Sequence, residues 1–117
     1  MSPVDPQRRA LLTAPAGEQL AAAAALLDSE DHAEVEFAQQ LALAAMRTLP
    51  AARSAAARAM DRLRVLAGQP QKFGTQVHTN NGRRELWPVD AWTTDSERAK
   101  WGLPGLQELR RSAETAP

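Results

Sequence analysis

The chain has 117 residues, 44% hydrophobic and 24% charged, and its 14 basic and 14 acidic side chains leave no formal net charge. That length supports one hydrophobic core, hence a single domain over 1–117, and the charge balance gives no electrostatic reason to expect nucleic acid or an anionic membrane as partner. Cysteine is absent, which excludes disulfides, thiolate nucleophiles and cysteine metal sites.

The first residues carry Arg8 and Arg9, but the Ala/Leu stretch that follows is broken by Pro15 and Gly17. It is too interrupted for a signal peptide or a membrane span, so cytoplasm is the expected compartment. Heavy use of Ala and Arg, with Lys almost absent, suggests a GC-rich bacterial genome.

Asp5-Pro6 reads as an N-cap with proline in the first turn, opening a short helix that ends before Pro15. A second helix is expected over 17–27, with Leu20, Ala24 and Leu27 on one side, and Asp28-Ser29 breaks or caps it. Over 30–47 the apolar positions Val35, Ala38, Leu41, Ala42, Ala45 and Met46 recur at helical spacing. Thr48-Leu49-Pro50 stops that helix and starts the next, which places Ala56, Met60, Leu63 and Ala67 on one stripe before Gly68 at C′. Alanine stripes permit close helix approach but bury little area each, so Leu, Met and the aromatics must supply most of the burial energy.

After Gly68 the character changes, dividing the domain into a helical half (about 5–67) and a smaller half (about 70–112). Residues 72–78 could form a strand, Asn80-Asn81-Gly82 is a strong hairpin turn signal, and 85–89 reads as the return strand. Thr94-Asp95-Ser96-Glu97 resembles a helix start, capped by Thr94 or by Asp95, and Gly102 ends that helix. Pro104 opens a last helix through Leu106 and Leu109, with the tail from Ser112 expected to fray. The fold class expected is mainly α: a small helical bundle with a C-terminal β-hairpin and two short terminal helices.

Four constellations could carry chemistry. Asp61 lies nearly opposite the stripe through Met60, Leu63 and Ala67, sharing that side with Val65, while Arg62 sits on the flank. Asp61 is either solvated, pairing loosely with Arg58 or Arg64, or covered by the C-terminal hairpin and hydrogen-bonded from it. Second, Gln71, Gly74, Thr75 and Gln76 pack poorly as core, and inward-pointing amides need partners; they form either a polar first strand or a ligand site. Third, His32 and His78 lack a metal-binding spacing and no cysteine completes a zinc site, so no metal or organic cofactor is expected. His32 could serve as a general base, although the start of an exposed helix is the plainer place for it, and His78 is expected to be solvated beside the turn. Fourth, Trp87, Trp92 and Trp101 read most simply as the core of the smaller half, with Trp87 bordering a site.

Taken in order, Ala59-Met60-Asp61-Arg62, Gly68 through Gln76, Leu86-Trp87-Pro88-Val89-Asp90, Arg98 and Gly102-Leu103-Pro104-Gly105-Leu106 form a pattern. It resembles an uncharacterised bacterial family with an Asp-Arg pair, a Gln-x-aromatic-Gly-Thr-Gln motif, an aromatic-Pro-x-x-Asp stretch and a closing Gly-Leu-Pro-x-Leu. The resemblance covers about the last half of the chain and implies a site at Asp61, Arg62, Gln71, Gly74, Thr75 and Gln76. In the first half, residues 30–39 only loosely match the family's Gln-His-x-Asp and Phe-Gln stretch, which carries over His32 and Gln39 weakly.

Two functions follow as expectations. One is a polar ligand site, with use as a cofactor-independent enzyme on a polar metabolite or peptide-like substrate: Asp61, Arg62 and His32 catalytic, and Gln71, Gly74, Thr75, Gln76 and Trp87 binding substrate. The other is a non-catalytic binding or interaction module in which the same polar residues form a structural network. Alanine-rich helix faces could also serve a homo-oligomer.

Overall fold

The computed structural model describes residues 5–115. Its elements run α1 (Pro6–Leu12), α2 (Ala16–Leu26), α3 (His32–Ala45), α4 (Ala52–Leu66), β1 (Val77–Asn80), β2 (Arg83–Leu86), α5 (Asp95–Lys100) and α6 (Leu106–Thr115). The fold is mainly α, with one antiparallel hairpin. No helix among the described residues is long and apolar enough to cross a membrane.

Local chemistry sets most boundaries. The Asp5 carboxylate accepts from Gln7 N–H with Pro6 at the first helical position, and Asp31 caps α3 by accepting from Ala33 N–H. Of the two caps expected for α5, Thr94 is the one formed, its hydroxyl accepting from Glu97 N–H. At the end of α4, Gly68 N–H bonds Val65 C=O and Gln69 N–H bonds Arg64 C=O; Gly102 and Leu103 repeat this pattern on Ala99 and Arg98. Both are Schellman closures. In the hairpin, Asn80 faces Arg83 and only Asn81 and Gly82 form the loop, with φ of 52° and 80°. Positive φ at both is the type I′ geometry, whose twist matches that of the strands.

The core lies where α3 packs between α2 and α4. Ala23, Leu27, Val35, Phe37, Ala38, Leu41, Ala42, Ala55, Ala56 and Ala59 form one buried cluster, with Trp101 packed against it from the smaller half. Two of the expected stripes are rotated. On α2 it is Ala23 that is buried and Ala24 that is exposed. On α4 the buried apolar positions are Ala52, Ala55, Ala56, Ala57 and Ala59, while Met60 and Leu63 are half-buried and Ala67 is exposed. On α2 alanines occupy every side, so apolarity cannot tell which side faces inward; on α4 Ala52, Ala55, Ala56 and Ala59 share one side, and the closest approach goes to these smallest residues.

Four further expectations are corrected in the smaller half. Residues 72–75 are not strand: their N–H groups turn inward to a side chain on α4, and pairing begins at Val77. Trp92 is not core, being 90% exposed, although Trp101 packs on Phe73 with ring centroids 5.5 Å apart. The tail does not fray at Ser112. It stays helical to Thr115 with Ala113 buried, while positions 116–117 lie outside the described residues, as does the start of the N-terminal segment at 1–4. His78 is half-buried rather than solvated, edge-on to Trp87 and 3.3 Å from the Glu85 carboxylate.

Candidate functional site

Asp61 lies on α4, on the side that the smaller half covers, and it is 0% exposed. Its carboxylate accepts five hydrogen bonds. Oδ1 takes the N–H groups of Lys72 (2.8 Å) and Phe73 (2.9 Å). Oδ2 takes those of Gly74 (3.1 Å) and Thr75 (3.0 Å) and the Thr75 hydroxyl (2.7 Å). Four successive N–H groups turned to one side make an anion-binding nest, of the kind that elsewhere holds phosphate or carboxylate ligands. Here the protein's own carboxylate fills it.

Gly74 makes the nest sterically possible. Its φ of 114° is a conformation L side chains rarely adopt, and a Cβ there would stand 3.2 Å from Leu109 Cδ1 and 3.5 Å from Leu106 Cδ1. The same glycine therefore lets the nest curl around Asp61 and lets α6 close over it.

Gln71, also 0% exposed, completes the loop. Its Oε1 accepts from Gln76 N–H (2.8 Å), and its Nε2 donates to Gln76 C=O (2.9 Å) and Trp87 C=O (2.7 Å). Its backbone bonds Pro88 C=O and Asp90 N–H. One amide side chain thus ties both ends of the 71–76 loop to the base of the hairpin. Gln76 is half-buried, and its Nε2 reaches the Thr75 hydroxyl at 3.3 Å.

The other side chains expected at the site have partners elsewhere. Arg62 donates from Nε to Ser29 C=O (3.0 Å) and from Nη2 to Asp28 C=O (3.3 Å), tying α4 to the α2–α3 connection. His32 stands at the start of α3, paired with Glu36 at 2.8 Å and 59% exposed at its side chain. Trp87 donates its indole N–H to Gln69 C=O (2.8 Å). Asp61, Gln71, Gly74, Thr75 and Gln76 are brought together; Arg62 and His32 do not bond to any of them. Among the described residues, the clefts lined by Asp5 and Phe37, by Arg83 and Glu114, and by Pro15 and Thr48 do not include Asp61 or residues 71–76. Among the described residues, no group of three or more His, Asp or Glu is placed to hold a metal ion.

Arg98 is the central residue to which sequence reasoning gave no role. It is 2% exposed; its Nε donates to Phe73 C=O (2.6 Å) and its Nη1 to Thr93 C=O (3.2 Å) and Asp95 Oδ1 (2.9 Å). Nη2 is buried without a hydrogen-bond partner among the described residues. Phe73 therefore stands between two buried charges, its N–H on Asp61 and its C=O on Arg98. Asp95 extends the chain by accepting from Leu106 N–H (2.9 Å), so a continuous path runs α4, loop, α5, α6.

The Leu106 N–H holds the Asp95 carboxyl below its ordinary value of 3.8; partial desolvation opposes this, and the Arg98 hydrogen bond and charge reinforce it. A carboxyl depressed in the folded state stabilises at pH above its unfolded value, and that contribution is lost as pH falls through the lower folded value. The thermal midpoint of the wild-type chain should exceed that of Asp95→Asn at neutral pH. The gap should narrow on acidification below about pH 4. A gap independent of pH from 7 to 2 would show that the carboxylate charge contributes nothing.

No protein-family model matches this chain, and neither a search of curated proteins nor one of solved structures returns a match.

Proposed function

We propose that this chain is a non-catalytic binding or interaction module of a bacterial cytoplasm, in which Asp61, Gln71 and their partners are a structural network. The observation that carries this reading is the Asp61 carboxylate, fully buried with both oxygens engaged by five donors. A general acid or base has to reach a proton on its substrate, directly or through one water, and a saturated buried carboxylate offers no such approach. The motif resemblance points to these same residues and brings no reaction with it.

What the network yields is a fixed surface. Asp90 N–H is tied to Gln71 C=O and Thr93 C=O to Arg98; between those ties Trp92 is held outward, its own N–H on Asp90 Oδ1 at 2.9 Å. A large aromatic on a pre-ordered segment anchors protein interfaces well, because little entropy is left to lose on binding.

Urea unfolding of Asp61→Asn separates this reading from the enzymatic one. A network residue lowers the unfolding free energy when replaced. A residue kept for catalysis at a cost in stability leaves it unchanged or raises it.

A further inference from the structure

The α1–α3 cleft has no part in the Asp61 network, and its chemistry is of a different kind. It encloses about 450 Å³, within the range of small-molecule sites. Its floor is apolar, formed by Leu12 and Phe37. The Arg8 guanidinium lies over the Phe37 ring, 4.8 Å from its centroid, and has no hydrogen bond or ion pair among the described residues. Gln40 lines the same cleft with its amide likewise unengaged.

Two carboxylates complete the rim, each half committed. Asp5 uses Oδ1 for the α1 cap, and Glu36 uses Oε1 for His32. The cleft thus offers one planar guanidinium, two carboxylate oxygens and one amide above an apolar floor. A purely anionic ligand would meet Asp5 and Glu36, and a purely cationic one would meet Arg8. A ligand with both charges and an apolar body satisfies all of these groups.

We infer that this cleft binds a zwitterionic amino acid with an apolar side chain. The ligand carboxylate pairs with Arg8, its ammonium with Glu36 and Asp5, and its side chain lies against Leu12 and Phe37. Since Arg8 already stacks on an aromatic face, less of its side-chain freedom is lost on binding.

The test is a titration of the 15N-labelled full chain with L-leucine, read at the Ala33 backbone amide beside the cleft. A saturable shift with a dissociation constant of about 1 mM or below is expected for so small and open a site. Isovalerate, which lacks the ammonium, and isopentylamine, which lacks the carboxylate, should each bind at least about tenfold more weakly. Arg8→Gln should weaken L-leucine by a similar factor while the Gly74 amide resonance stays in place, reporting an intact fold. Gln40→Leu, on an exposed position of α3, is the second variant and should weaken binding severalfold. Absence of a saturable shift up to about 10 mM L-leucine overturns the proposal, as does equal binding of either singly charged analogue. Because Asp61 does not line this cleft, either result leaves the network reading standing or falling on its own test.

Discussion

Asp61→Asn should lower the free energy of unfolding by about 3–5 kcal/mol, the loss usual when one partner of a buried charged network is removed. Asparagine can present one oxygen to the nest, so it can satisfy either the Lys72 and Phe73 pair or the Gly74 and Thr75 set. Its NH₂ then points donors at donors on the other side. Each buried N–H left without an acceptor costs about 1–3 kcal/mol, and the Oδ2 side alone holds three donors. A domain of this size has only about 5–15 kcal/mol in total, so the variant should melt roughly 15–30 °C lower. Asp61→Ala should do at least as much harm, because it leaves all five donors unmatched. Chemical denaturation of both variants with a common slope is the check, since a changed slope would mean that the native state had itself loosened.

The second large effect is expected at Arg98. Arg98→Met keeps much of the side-chain volume and removes every donor, leaving Phe73 C=O and Thr93 C=O without their partner and Asp95 with one fewer. A loss of about 2–4 kcal/mol is expected. Arg98→Lys should recover only part of it, because one ammonium cannot reproduce a planar fork that bonds two carbonyls and a carboxylate at once. Arg98 and Asp61 meet only through the Phe73 peptide, so the two substitutions should not add. In the double-mutant cycle the Asp61→Asn, Arg98→Met protein should be less destabilised than the sum of the singles, with a coupling of about 0.5–3 kcal/mol. Strict additivity would mean that the nest and the Arg98 cluster are independent features that happen to share a residue.

These two residues also mark how far the sequence could be read. Asp5-Pro6, Thr94 before Glu97, Asn81-Gly82, and the helix ends at Gly68 and Gly102 all act within a few residues, and their chemistry names the structure they form. Asp61 was legible in part. Its place opposite the Met60–Leu63 stripe, beside Val65, made a covering by the C-terminal hairpin one of two open readings; the hydrogen bonds come from the loop at 72–75, just ahead of the hairpin strands. What could not be read was who provides them. The donors of a nest are backbone N–H groups, which every non-proline residue carries, so only Gly74 and Thr75 leave any trace of it. The expected strand over 72–78 failed for the same reason, since polar residues with an internal glycine are equally compatible with a curled loop.

Arg98 was opaque because its principal acceptors are the carbonyls of Phe73 and Thr93, which no side-chain pattern encodes. Trp92 was misjudged because size and apolarity favour burial on average, whereas its position is fixed by the ties at Asp90 and Thr93. On α4, Ala52, Ala55, Ala56 and Ala59 already share one side at helical spacing, beside the Met60–Leu63 stripe, and the closest approach of α3 goes to these small residues and not to the larger ones. Arg62, adjacent to Asp61 in sequence, turns about 100° away on the helix and serves the α2–α3 connection instead.

The Asp61 nest is tested most directly by native-state hydrogen exchange at the amides of Lys72, Phe73, Gly74 and Thr75. If these N–H groups are internal structure bound to a buried carboxylate, they should exchange only through global unfolding, as slowly as the core amides of α3 and α4. Asp61→Asn should then accelerate Gly74 and Thr75, or Lys72 and Phe73, beyond its effect on α3. Exchange at the rate of the exposed hairpin turn, at Asn81 and Gly82, would contradict this and show a loop that opens freely enough to receive a ligand.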